Sequence, residues 1–374
     1  MQILKQVSVT DSASWYRLEG DYQGEVNRWV VSTPSMREIA NCPEVCGYDF
    51  TLGMQAAMAD AMSSAPFLPF LQGVSSCQLT ILKFLRGGLN FALRHALWKA
   101  LGSNHHVSCF MSSQRHRTEG RWVVREDMYR KIKIPRDAVI LVGDVVATGV
   151  TVDNGLEVVL RELLEKKTPI QGMVFFTIGC HKAEKILDKY HALFKQEFPG
   201  YRETHVIYLE GKMRLVDSQI HLSNSIQGTD LIKTEALLAP EFEASQYDSL
   251  SAPLERCVIY DAGSRAFDVL EYLDDVEQYW SQVSSLAERG WTLREVLKER
   301  WPEEDYSSWS HFRERKQERW KGVDEAFLRM LWARYEERWN ALLATADTAE
   351  ALKSLCEEQL DKFKQVRLKA GGLL

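Results

Sequence analysis

The stretch "AVILVGDVVATGVTVDN", residues 138–154, decides how the rest of the chain is read. A continuous apolar run, broken by Asp144, resumes for two valines and ends in Ala147-Thr148-Gly149-Val150-Thr151. Such a run is a strand buried on both faces, and Val152, Leu156, Val159, Leu160 and Leu163 behind it recur at helical spacing. A buried strand tip that turns through small residues into a helix is suited to phosphate. Successive backbone N–H groups of the turn point inward, and the start of the helix adds its positive dipole end. Thr148 and Thr151 add hydroxyl donors, and Gly149 permits backbone geometry closed to other residues. Asp144 falls at the carboxyl end of the strand, where open α/β sheets bind ligands, and a carboxylate there suits two adjacent hydroxyls. Phosphate beside a diol describes a ribose 5-phosphate.

Working outward, apolar runs alternate with helical patterns from about residue 60 to about 215. The runs are "QLTILKFL" (78–85), "HVSCFMSS" (106–113), "GMVFFTIG" (172–179) and "THVIYLE" (204–210). Phe91, Leu93, Leu97 and Leu101 form a helical face that stops at Gly102. This alternation predicts an α/β fold: a parallel sheet of about five strands covered by helices on both faces. Before residue 60 the pattern predicts one strand at Trp29-Val30-Val31 and a small-residue helix over 52–62. Beyond about residue 235 the composition shifts. "APEFEASQYDSLSAP" (239–253) reads as a linker or long loop and "RCVIYD" (256–261) as a last strand. The remainder reads as helix and carries seven of the 11 tryptophans. The division expected is residues 1–60 as an N-terminal segment or hood, 61–235 as the core, and 236–374 as a Trp-rich helical region.

At 374 residues the chain suits a catalytic-sized domain plus a second unit. Its formal net charge of −6 gives no general pull toward nucleic acid. "HFRERKQERWK" (311–321) carries five basic residues and two acidic ones, and reads as the solvated face of a helix whose aromatics are core. No stretch has the length of apolar sequence a membrane helix needs. Seven scattered cysteines, an odd count, argue for a reducing cytoplasm. Cys42 and Cys46 lack the second pair that a zinc site needs.

The run "VILVGDVVATGVT" resembles the phosphoribosyl pyrophosphate (PRPP) motif of type I phosphoribosyltransferases: apolar residues, two acids, two apolar residues, then a Thr/Gly-rich phosphate loop. Asp144 matches the second acid. Val145, Ala147, Thr148, Gly149, Val150 and Thr151 fall in the motif's PRPP-binding stretch. Gly143 stands where the first acid is usual, and Val150 where Gly or Lys is usual. Upstream, "FLRGGL" (84–89) resembles the family's pyrophosphate loop, with Arg86, Gly87 and Gly88 as its counterparts. Pyrophosphate is a highly charged leaving group; arginine grips it bidentately and glycines let the backbone approach. Between the two motifs the family has a strand ending in a basic residue, then a mobile loop. Residues 109–135 fit in order, with Arg115 at the strand end and Arg117, Arg121 and Arg125 as lesser loop candidates. Together these matches span roughly residues 45–215.

The resemblance implies transfer of ribose 5-phosphate from PRPP to a nucleobase-like acceptor, with Mg²⁺ as cofactor and release of pyrophosphate. Asp144, Arg86 and Arg115 would be the catalytic residues. The protein is not read as supplying a metal ligand set of its own; Asp144 is the one candidate, acting through water. The acceptor would be read by residues 1–60 and 180–232, which include "SIQGTD" (225–230), and His181 would stand at a strand tip facing either base or solvent. The oligomeric state stays open: family members commonly form a homodimer, and residues 236–374 could cover or replace that surface or hold a protein partner. Gly143 and the large helical region also point to a second role: a PRPP- or nucleotide-sensing module without turnover.

Overall fold

A computed structural model describes residues 1–85, 87–118, 121–220, 222–256, 262–301 and 306–371, with the backbone alone for 113–128 and 262. Among these residues there are eleven strands in one sheet. They are β1 (Gln2–Val9), β2 (Ser14–Gly20), β3 (Asn27–Ser32), β4 (Leu79–Phe84), β5 (Val107–Thr118), β6 (Arg121–Lys131), β7 (Ala138–Val146), β8 (Ile170–Cys180), β9 (Glu203–Leu215), β10 (Leu231–Leu238) and β11 (Trp320–Lys321). The spatial order is β11-β1-β2-β3-β9-β8-β7-β4-β5-β6, with β10 pairing on β9.

The five runs read from the sequence as a parallel sheet are the central block β5-β4-β7-β8-β9, and every pairing within it is parallel. Helices cover it: Leu93–Leu101 follows β4, Val150–Glu165 follows β7 and His181–Glu197 follows β8. The fold is therefore α/β. The sheet as a whole is mixed, because β1-β2-β3 add an antiparallel meander whose last strand joins β9 in parallel. β1 escapes the sequence reading because its odd-numbered valines, Val7 and Val9, are exposed, so its burial is too shallow for an apolar run. Within 109–135, where a loop follows the strand in the family resembled, the described residues instead include the antiparallel pair β5 and β6. The strand expected over 256–261 lies, after Arg256, outside the described residues.

Halfway along β9 the chain changes partner. Glu210 has φ +63° and Gly211 φ +157°, and this kink moves the second half of the strand from β3 to β10. The helical region after residue 236 is joined to the sheet. Trp320 lies beside Leu4 in a parallel pairing, and its indole N–H donates to the Leu238 carbonyl at 3.0 Å. Trp280, Trp320 and Trp339 are buried, as is Phe312, which packs 5.3 Å from Trp332 between ring centroids. The aromatics of 311–321 are thus core. Lys316 is the exception to a solvated charged face: its ammonium is fully buried and donates to Glu243, itself fully buried, and to Tyr306 Oη at 2.6 Å. Among the described residues, no helix is long and apolar enough to cross a membrane.

Candidate phosphate and ribose site

β7 is buried along nearly its whole length and delivers Asp144 to its carboxyl end. Ala147 and Thr148 then turn the chain, and Gly149 leads into the helix Val150–Glu165 with φ +81°. That conformation suits glycine, and a Cβ at Gly149 would stand 2.3 Å from Ile186 Cδ1, the tip of a side chain that would have to shift. The Asp153 N–H donates to the Gly149 carbonyl at 2.9 Å and closes the first helical turn. The first N–H groups of a helix have no intrahelical acceptor, so those of Val150 and Thr151 face the turn as donors. Val145, Ala147, Thr148, Val150 and Thr151 are half-buried, so the loop is walled yet reachable.

The two motifs meet here. A Cβ at Gly87 would stand 3.1 Å from Asp144 Oδ1, and one at Gly88 would stand 2.9 Å from the Gly143 carbonyl oxygen. Residues far apart in sequence therefore share one carboxyl edge, because β4 and β7 are parallel neighbours. The approach needs Gly88, whose Cβ would meet backbone, while a Cβ at Gly87 would crowd the tip of the Asp144 side chain. Helix Val150–Glu165 is seated on β4 in the same way, since a Cβ at Gly155 would stand 2.1 Å from the Phe84 ring. Asp144 is 8% exposed, and its Oδ1 accepts the Val145 N–H at 2.9 Å.

Gly143, the departure from the two-acid pattern, has a packing reason. The buried side chain of Phe91 fills the space beside it, and a Cβ at Gly143 would stand 2.4 Å from both Phe91 Cβ and Cγ. The position of the first acid is closed by an aromatic ring. Sequence reading placed Phe91 on a helical face, and nothing in its spacing announces this role.

"SIQGTD" also comes to the loop. A Cβ at Gly228 would lie 4.0 Å from Thr148 Cγ2. This turn is held from below by Asp230, which is buried, accepts the Ile226 N–H at 2.9 Å and pairs with Arg256 Nε at 3.0 Å. Lys83 was missed by the sequence reading. It interrupts apolar β4 three residues before the pyrophosphate-type loop, much as Asp144 interrupts β7. Burial, then the charge of Arg94, lowers its pKa. Arg94 donates to His106 Nε2 at 3.1 Å, and burial, then Arg94, lowers the pKa of that imidazole too. Of the other expected site residues, Arg86 lies outside the described residues. Arg115 is placed on β5 opposite Val124, and its side chain lies outside the description. His181 is exposed and begins the helix after β8.

No protein-family model matches the chain, and no curated protein matches it. Solved structures similar to it include a protein from Aquifex aeolicus at 14% identity, covering 50% of this chain and 89% of that one with a TM-score of 0.33. A hypoxanthine-guanine phosphoribosyltransferase from L. donovani is similar at 15% identity, over 44% of this chain and 82% of that one, with a TM-score of 0.28. A purine phosphoribosyltransferase from Pyrococcus horikoshii is similar at 14% identity, over 41% and 82%, with a TM-score of 0.23. What this chain's own residues define is an α/β protein with a small-residue loop and one buried carboxylate at the carboxyl edge of its sheet.

Proposed function

We propose that the chain binds PRPP across Asp144, the 147–151 loop and the Gly87-Gly88 turn, and transfers its ribose 5-phosphate to a nucleobase-like acceptor. The observation that carries this reading is the approach of Gly87 to Asp144, 3.1 Å from a Cβ position to Oδ1. This closeness of the two turns supports a reading in which pyrophosphate lies beside a ribose and its 5-phosphate. Thr148, Gly149, Val150 and Thr151 hold the 5-phosphate by backbone N–H and hydroxyl donors. Asp144 accepts from a ribose hydroxyl. Gly87 and Gly88 admit the pyrophosphate to the backbone, and Arg86 and Arg115 are assigned to its charge. The "SIQGTD" turn beside Thr148 closes the acceptor side and excludes water.

Magnesium suits this arrangement as an ion carried in with the substrate. It keeps several of its waters and needs one or two carboxylates plus phosphate oxygens, and Asp144 is the residue that would meet it through water. Among the described residues no group of three or more His, Cys, Asp or Glu side chains is placed to hold a metal. Bound, the ion would neutralise charge on the departing pyrophosphate.

A second reading is favoured by one observation, the ring of Phe91 over Gly143. With the first acid's place filled, the site keeps its phosphate grip and loses half of its grip on the ribose. That suits a sensor of PRPP or a nucleotide which does not turn it over. The test is pyrophosphate release from Mg·PRPP across purine, pyrimidine and pyridine bases, with calorimetry in parallel. Release with one base, lost in Asp144→Ala, supports the transferase. Binding lost in Asp144→Ala, with no release on any base, supports the sensor. Absence of PRPP binding overturns both.

A further inference from the structure

A second cavity, of about 490 Å³, opens at the carboxyl ends of β8, β9 and β10. It is separate from the phosphate loop. Cys180 stands between them, its Sγ 3.4 Å from the Ala147 carbonyl oxygen, and the next residue, His181, lines the cavity. Its charged walls are Lys212 and Arg214 from β9, Glu235 from β10, and Arg315, Glu318 and Arg319 from the helix Trp309–Arg319. Four cations and two carboxylates line the cavity in a protein whose overall formal charge is −6, with Glu184 behind Lys212 and Glu243 behind Arg319.

The carboxylates present do not use up the donors. Arg214 pairs with Glu235, and Arg315 with Glu318 at 3.2 Å. A guanidinium carries five N–H donors and one carboxylate engages two of them, so each pair fixes its arginine while leaving donors for something else. Lys212 is 12% exposed and is set by Glu184 at 3.1 Å. Arg319 is anchored on the Ala236 carbonyl, with the buried Glu243 carboxylate 3.9 Å from its Nη1. A concave wall of oriented cations concentrates field in the cavity, and a volume of this order takes a ligand of mononucleotide size or smaller.

We infer that this cavity binds a small polyanion, and that the C-terminal helical region completes the site by supplying Arg315 and Arg319. The region after residue 236 thereby has a ligand-dependent part: a polyanion there bridges β9 of the sheet to the helix Trp309–Arg319. The inference does not rest on the PRPP reading.

The test is calorimetry on the full chain with two probes, pyrophosphate and citrate, at low and at high salt. Arg315 is 58% exposed, so Arg315→Glu removes a ligand group without opening the core. Arg214→Ala/Arg315→Ala is the second variant, and Arg315→Lys the conservative one. Citrate, pyrophosphate or both are expected to bind more weakly by at least tenfold in Arg315→Glu, with most of the affinity kept in Arg315→Lys and lost with added salt. The stronger probe tells a phosphoryl ligand from a polycarboxylate. Thr148→Ala, in the phosphate loop, leaves citrate affinity unchanged while weakening PRPP, so failure of one site is visible apart from failure of the other. Affinities for both probes within twofold of the parent in Arg315→Glu and in the double variant would overturn the inference, as would failure of both probes to bind the parent.

Discussion

The ring of Phe91 occupies the space that any side chain at Gly143 would need, 2.4 Å from where its Cβ would be. The missing acid of the PRPP-type motif is therefore one half of a packing pair, and its restoration is blocked by a residue from the turn before the helix Leu93–Leu101.

Gly143→Asp is expected to destabilise the fold by roughly 1–3 kcal/mol from overpacking, with a further penalty for a buried carboxylate. Phe91→Ala alone leaves a cavity and is expected to cost about 3–5 kcal/mol. If the two positions are coupled as the packing indicates, the double variant Gly143→Asp/Phe91→Ala is less destabilised than the two single effects added. Urea denaturation of the four proteins checks this, and additive values would dissociate the pair.

Gly149→Ala meets two obstacles, a left-handed φ of +81° and the Ile186 side chain at 2.3 Å from the new Cβ. Backbone strain of this kind is worth about 1–3 kcal/mol. Trimming the neighbour in Gly149→Ala/Ile186→Ala relieves the clash and leaves the φ strain. PRPP affinity, read by calorimetry, is expected to stay low in both variants while the melting temperature recovers no more than in part.

Glu210 carries a pH dependence of stability. It is buried at the β9 kink, accepts the Thr33 N–H at 2.8 Å and contacts Ser32 Oγ at 2.5 Å. Burial pushes its pKa from 4.5 up to about 8, against the opposing pull of Arg37. Between those two values the folded protein holds a proton that the unfolded chain has released. Stability from this group is thus complete below about pH 4.5 and declines as pH rises through 8. The expected span is of the order of a few kcal/mol. Denaturation at pH 5 and pH 8.5 reads it, and Glu210→Gln should flatten the difference.

Lys316 and Glu243 tie the helix Trp309–Arg319 to the helix Pro240–Gln246 through a pair that is 0% exposed on both sides. Removing one partner leaves a buried charge, so Lys316→Met is expected to cost about 3–5 kcal/mol, whereas Lys316→Met/Glu243→Leu should recover much of it. Thermal melts of the three proteins decide between this and a surface-like pair, for which all three values would agree within about 1 kcal/mol.

The legible part of this protein was local. A strand shows itself by an apolar run and a helix by its 3.6-residue period, and both signals lie within a dozen residues. Hence β7, the turn at Gly149 and the helix Val150–Glu165 stand where the sequence placed them, as do β4 and the helix-stop at Gly102, with φ +63°. The five-strand parallel block followed from the same signals. Edge strands were less legible: β1 exposes Val7 and Val9, and β11 is two residues long and exists because Leu4 lies beside Trp320.

What the tertiary structure alone decided are relations between segments. Periodicity reports how deeply a residue is buried and says nothing of which surface buries it. That Phe91 closes Gly143, that Gly87 reaches Asp144, and that the turn at Gly228 lies over Thr148 all depend on which strands are neighbours and on how closely two backbones approach. The same is true of Lys316: a cation within a run of surface-type charges becomes core because a buried carboxylate on another helix awaits it. The sequence by itself determined the strand-turn-helix unit and the chemistry of its loop, through interactions of near neighbours. The long-range pairing of the sheet determined what that loop faces.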